Sequence, residues 1–146
     1  MNVVFVEPWF PRNQREFARA LAEAGATVIG IGEYPVGSFD DQLKGWLYHY
    51  EQVPSVTDVE AMTRAVRWVQ DRLWVDRLEA TIEAHIMPTA QVREACTIPG
   101  TSVHTPTQGV EAGYMANAYV RMRHPDYDVL HGMLDTVGRT LHVYAS

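Results

Sequence analysis

Residues 2–32, "NVVFVEPWFPRNQREFARALAEAGATVIGIG", decide the fold. "NVVFVE" (2–7) is a nearly unbroken apolar run of β-branched and aromatic residues, the pattern of a strand buried on both faces of a parallel sheet. "PWFPRN" follows as a loop with two prolines. Asn13 precedes Glu16 by three, which predicts a capping box at a helix start. Phe17, Leu21 and Ala24 then share one helical face, and Gly25 is placed to end the helix. "ATVIGIG" (26–32) is a second buried strand. A strand, loop, helix and strand within about 30 residues predict the opening of a doubly wound α/β fold.

The pattern continues downstream. "EYPVGSFDDQLKGW" is a long connection in which only "DDQLKGW" suits a helical turn. "LYHYEQVP" (47–54) predicts a third strand. Thr57 and Glu60 predict a second capping box, opening a helix to Leu73 whose buried stripe is Val59, Met62, Val66, Val69 and Leu73. "RLEATIEA" (77–84) is read as a fourth strand, "PTAQVREAC" as a helix and "TSVHT" (101–105) as a short fifth strand. After Thr105 the alternation stops. "PTQGVEAG" is loop-like, "HPDYDVLHGMLDTVG" suits a helix and "TLHVYA" (140–145) a terminal strand. The expected fold is a three-layer, Rossmann-like α/β domain with a mainly parallel sheet of five or six strands. Residues 106–146 are expected as a loop-helix-strand tail packing on the domain formed by 1–105.

Composition narrows the function. The chain has 146 residues and a formal net charge of −6. That charge argues against nonspecific DNA binding, which is driven by a basic face releasing counterions, and no nucleic-acid partner is expected. No apolar run approaches the roughly 18 residues of a membrane span, and "MNVVFVEPWF" lacks the basic start and cleavage site of a leader. A cytoplasmic protein is expected. The single cysteine, Cys96, allows no internal disulfide. Lys44 is the only lysine, so a mechanism that sets two lysines on phosphates has no place within this sequence.

Residues 74–105, "WVDRLEATIEAHIMPTAQVREACTIPGTSVHT", carry a resemblance. A strand ending at Glu83, a helix with Ala90 and the pair Arg93–Glu94, and then "IPGTS" are similar to the pre-ATP-grasp domain of ATP-grasp ligases. That Rossmann-like module is shared with biotin carboxylases and carbamoyl-phosphate synthetases, and the likeness here is to the carboxylate–amine ligase type. The front half is generic α/β, so the likeness rests on these residues. It implies an activity in the parent family: ATP with magnesium phosphorylates a carboxylate, and an amine attacks the acyl phosphate. The family pattern continues from "IPGTS" with Asp-Lys, a second lysine, a glycine-rich loop and acidic magnesium ligands. This sequence runs instead through "HTPTQGVEAGYMANAYVRM", and a whole ATP-grasp domain does not fit in 106–146. The resemblance thus implies a non-catalytic scaffold, or an internally deleted or truncated form of such a ligase. ATP and magnesium belong to the parent family rather than to this chain. The implied partners are the missing ATP-grasp domain or further copies of the chain. The alternative is a Rossmann-like module that binds a small molecule or nucleotide.

The candidate ligand residues are Trp9, Arg12, Asn13, Glu33, Glu83 and Arg93. Trp9, Arg12 and Asn13 follow the first strand, where open α/β sheets bind ligands, although an ordinary capped loop with packed aromatics explains them too. Glu33 ends the second strand, at the ribose-binding position of dinucleotide domains, but the first-strand glycines of that motif are missing. Glu83, at a strand end, is expected to face a cleft with Arg93 turned back to pair with it. The bland reading is an ion pair tying strand to helix. His124, Asp126, Asp128 and His131 match no metal-site spacing, and helix-start chemistry explains them. Cys96 has His85 and His104 as conceivable bases, yet reads first as a buried thiol.

Overall fold

The computed structural model describes residues 1–103 and, beyond them, Gly132. The described elements lie in one unit of the chain, Met1–Pro106. They are β1 (Asn2–Val6), α1 (Gln14–Glu23), β2 (Thr27–Gly32), a 3-10 turn (Val36–Ser38), α2 (Asp41–Trp46), β3 (His49–Gln52), α3 (Val59–Gln70), β4 (Arg77–Glu79) and α4 (Glu83–Ala95). The fold is α/β. Among the described residues the sheet has four strands in the order β3-β2-β1-β4, all parallel, against the five or six expected. Thr101 and Ser102 have no regular structure and Val103 lies in a turn. The predicted fifth strand is therefore not formed over its described part. The tail helix, the terminal strand, His104 and the group His124, Asp126, Asp128 and His131 lie outside the described residues.

Successive side chains of a strand point to opposite faces, and here the two faces differ in chemistry. Val4 and Val6 of β1, Ile29 and Ile31 of β2 and Leu78 of β4 meet Met62, Val66 and Val69 of α3 and Val92 of α4 in an aliphatic core. Phe5 and Val28 face the other way, against Ala18 of α1, Phe39, Leu43 of α2 and the half-buried Trp9, Trp46 and Tyr50. Each fully buried large apolar side chain contributes about 1.5–3 kcal/mol.

Local chemistry departs from expectation at five places. Asn13 precedes α1 but makes no side-chain cap bond, because its own backbone is helical (φ −71°, ψ −16°) rather than extended as a capping residue requires, and Glu16 pairs forward with Arg19 at 2.9 Å. Phe17 stays 45% exposed, its ring tilted against Phe5 with centroids 6.1 Å apart, while Ala18 is fully buried. Asp58, not Thr57, caps α3, its carboxylate accepting from the Ala61 N–H at 3.0 Å, while the Thr57 hydroxyl is engaged with Ser55. Finally, β4 ends at Glu79 and α4 starts at Glu83, so Glu83 is not at a strand end. Pro88, expected at the start of a helix, lies inside α4. The amide it lacks would have bonded the carbonyl of Ala84, in the first turn.

Candidate functional site

The chain moves from β1 to β2 to β3 toward one edge, then returns through α3 to place β4 on the opposite side of β1. In open α/β sheets, ligands bind where the winding reverses, in the crevice outside the strands' carboxyl ends. Here that crevice lies between the segment after β1, Glu7–Asn13, and the segment after β4, Ala80–Ile82, with the start of α4. One hydrogen bond closes its floor: the Thr81 hydroxyl donates to the buried Gln14 side-chain oxygen at 2.5 Å.

Glu7 sits at the mouth of β1. It is 5% exposed, and its φ of 54° places a non-glycine residue in the left-handed region. Its own N–H still donates to Ile31 O at 2.7 Å. One carboxyl oxygen accepts the Glu33 N–H at 2.6 Å. Burial pushes the Glu7 carboxyl above its ordinary pKa, the Glu33 N–H opposes this, and the neighbouring Glu33 charge adds to it. The carboxyl fits only because β2 carries glycine at 32: a Cβ there would lie 2.9 Å from Glu7 Oε1 and 2.8 Å from the Tyr50 hydroxyl. Gly30 serves the same face, since a Cβ there would lie 2.8 Å from the Tyr50 ring and 3.0 Å from Pro8. The two glycines form a notch that receives Tyr50 and Glu7. Burial, and then the Glu7 and Glu33 charges, raise the Tyr50 pKa. Its hydroxyl is thereby kept as a neutral donor, bonded to Tyr34 O at 2.6 Å.

Glu33, although exposed as a residue, has one carboxyl oxygen taken by Ser55 Oγ at 3.0 Å and the Val56 N–H at 2.9 Å. It ties the turn that leads to α3. His85, in the first turn of α4, has a buried Nδ1 without a hydrogen-bond partner, as does Oγ1 of Thr89 one turn later. Burial lowers the His85 pKa and Glu33 partly offsets this, so the ring is neutral near pH 7.

The expected site residues separate in space. Trp9 turns inward and stacks on Phe39, with ring centroids 5.5 Å apart. Arg12 and Asn13 are exposed on the loop. Glu33 joins Glu7. Glu83 is exposed at the start of α4, ten positions from Arg93 on the same helix and thus about 15 Å away along its axis. The predicted Glu83–Arg93 pair is absent. Arg93 is buried and donates to Leu78 O at 2.6 Å and Thr101 O at 3.0 Å, with Glu79 at 3.5 Å. It ties β4 and the chain after α4 to the helix and is withdrawn from the crevice. Cys96 caps the far end of α4, about 16 Å along the axis from His85, so the two form no dyad. Its thiol is buried, and burial pushes its pKa up against the influence of Arg67. The pattern underlying Glu7 was visible, an acid directly after an apolar strand and before proline. Gln14 and Thr81 gave no signal, being ordinary polar residues until β4 brings them together.

Around the crevice stand two carboxylates, a neutral imidazole and the exposed Arg12 of the loop, with no glycine-rich turn. Among the described residues no group of three or more His, Cys, Asp or Glu side chains is arranged to hold a metal ion. No helix there is long and apolar enough to cross a membrane.

No protein-family model matches this chain, and no curated protein matches it. A similar solved structure is the L-amino acid ligase from Bacillus licheniformis, with a TM-score of 0.58 and 14% sequence identity. The match covers 94% of this chain and 42% of that one, so the chain spans less than half of that ligase's length. The likeness is one of fold alone.

Proposed function

We propose that the chain is a non-catalytic scaffold of the pre-ATP-grasp type, related to ATP-dependent carboxylate–amine ligases. One observation carries the reading. At the end of β2, the ribose-binding position of dinucleotide domains, the Glu33 N–H is already taken by the Glu7 carboxylate. A second carboxylate, Glu33, stands beside it, and the first loop has two prolines in place of glycines. An anionic nucleotide would meet like charge with no backbone cradle, which disfavours binding. The architectural likeness to a ligase supports the same reading. In it, nucleotide and magnesium chemistry belong to a different domain, and this module supplies a wall.

Calorimetry of the full chain with ATP and magnesium tests this, with light scattering on the same sample. The expected result is no saturable heat. Micromolar ATP binding would overturn the reading.

The buried, unpartnered Nδ1 of His85 favours a second reading, a module binding a small ligand at the switch crevice. The electrostatics suit a ligand offering hydrogen-bond donors, such as an ammonium group, rather than a phosphate. Thermal shift in the presence of small primary amines, compared between the wild type and His85→Ala, separates this from the scaffold. A stabilisation lost in the variant would establish it, and no shift in either would dismiss it.

A further inference from the structure

The first turn of α4 forms the rim of the switch crevice on the β4 side, and it is fastened loosely to the rest of its helix. The capping position is Ile82, so no side-chain oxygen of that residue meets the free amides of the turn. Pro88 lies inside the helix and has no N–H for the carbonyl of Ala84. Nδ1 of His85 and Oγ1 of Thr89 are buried without a hydrogen-bond partner, and Thr89 is 0% exposed. Four residues apart, the two lie on one helical face, and each is an unsatisfied polar atom that destabilises the closed arrangement. The chain on either side is held firmly. Before the turn, the Thr81 hydroxyl is bonded to Gln14. Beyond Pro88, Val92 and Cys96 sit in the aliphatic core and Arg93 donates to Leu78 O and Thr101 O. Residues 82–87 are thus a short strap between two fixed points.

We infer that this strap is a pH-sensitive cover on the rim of the crevice, closed while His85 is neutral and released when the imidazole takes a proton. A neutral ring leaves Nδ1 as one unpaired polar atom beneath the strap. A protonated ring sets a full charge there and turns Nδ1 into a donor facing no acceptor, which is far more unfavourable. Water reaching the ring in the open form relieves it. The charged groups of the neighbouring elements do not take the place of that water. Asp58 at the start of α3 accepts from Ala61, Glu60 stands exposed near Arg64, and Glu79 of β4 faces Arg93. Glu83, on the strap itself, is exposed, and Arg12 across the crevice carries the imidazolium's own sign. Glu33 does act on the ring, but it offsets the effect of burial only in part, and one of its oxygens is engaged by Ser55 and Val56. The closed form therefore binds the proton less tightly than the open one. It is favoured in full above the ordinary imidazole pKa and loses ground as pH falls from there to the lowered value. Across that window the opening constant rises about tenfold per pH unit, and it is level on either side.

Amide hydrogen exchange of the full chain from about pH 8 to about pH 5, corrected for the intrinsic pH dependence of exchange, tests the inference. The helical amides of Met87 and Thr89, on either side of Pro88, report the strap, and those of Glu94 and Ala95 report the rest of α4. The first pair is expected to lose protection by about tenfold per pH unit within the window, while the second pair holds its own. His85→Phe keeps an aromatic ring without a titrating nitrogen and is expected to abolish the pH dependence. Thr89→Val removes the unpaired hydroxyl, and Pro88→Ala restores the bond to Ala84 O. Both are expected to raise protection at every pH and to leave the pH dependence in place. Titration of the His85 ring followed by NMR needs no variant and is expected below the ordinary imidazole value. Strap amides equally protected across the range overturn the inference, as does a pH dependence that survives in His85→Phe. So does a ring that titrates at its ordinary value, or no gain in protection from either Thr89→Val or Pro88→Ala. A loss shared equally by Glu94 and Ala95 also overturns it, because the whole helix is then unfolding and no strap moves by itself.

Discussion

The two faces of strand β2 serve different ends. Toward α3 and α4 it presents Ile29 and Ile31, both fully buried among aliphatic side chains. Toward α1 and α2 it presents Val28, Gly30 and Gly32, and the space left by the glycines is filled by Tyr50, Pro8 and the Glu7 carboxyl. One face is packed for stability. The other gives up strand propensity and side-chain contact at two positions so that polar groups can approach the backbone. A single six-residue strand thus divides stability from site by the parity of its positions.

The sharpest way to break this comparison is to empty the aliphatic face. Leu78→Ala, at a fully buried position on β4, is expected to cost about 2–5 kcal/mol, measured by urea unfolding. The arrangement around Glu7 and Tyr50 should persist in the variant at low temperature, because it lies on the opposite face. Filling the notch comes next. Gly30→Ala forces a methyl group to within 2.8 Å of the Tyr50 ring and 3.0 Å of Pro8, and is expected to cost about 1–3 kcal/mol with a change in the near-ultraviolet circular dichroism of tyrosine. If Gly30→Ala proves harmless, the notch is not a packing requirement.

A smaller effect is expected from the aliphatic side's helix start. Asp58→Ala removes the α3 cap and should cost about 1 kcal/mol, whereas Asn13→Ala, which loses no cap bond, should be close to neutral. Equal losses from the two substitutions would contradict the cap geometry. The smallest effect concerns Glu7. Its folded pKa lies above the unfolded value, so the native state holds the proton more tightly, and stability falls as pH rises from below the ordinary carboxylate pKa through the raised one. Glu7→Gln keeps an acceptor for the Glu33 N–H but has no charge to desolvate. The variant is expected to match or exceed the wild-type melting temperature at pH 7 and to lose this part of its pH dependence. A melting temperature lower than wild type at pH 7 with the same slope would place the carboxylate's value elsewhere.

The strands were legible where burial on both faces made them continuous apolar runs, as in "NVVFVE" and "ATVIGIG", and α3 was legible from its stripe of Val59, Met62, Val66 and Val69. The end of β4 was not. "EATIEA" suits strand or helix, and the choice is made by a partner: β1 turns into the left-handed region at Glu7, leaving β4 only the three pairings Val3–Arg77, Val4–Leu78 and Phe5–Glu79. Glu83 and Arg93 were misplaced together for that reason. The glycines of "GIGEYPVG" were visible as spaced residues, but their use depends on Tyr50, which comes from a different strand. Nothing in the local sequence announces that the Glu7 carboxyl is buried, since burial is a property of what folds over it.

The clasp between Gln14 and Thr81 joins positions 67 apart in sequence, and this has a consequence for the order of assembly. While the chain is being synthesised, β1, α1, β2 and β3 have all their mutual contacts by residue 52. The crevice, however, has only one wall until β4 docks beside β1. Closing so long a loop carries the entropy cost of the whole intervening segment. The crevice is therefore among the last features to mature, and a nascent chain halted before Arg77 would hold most of a sheet but only one of the crevice's two walls.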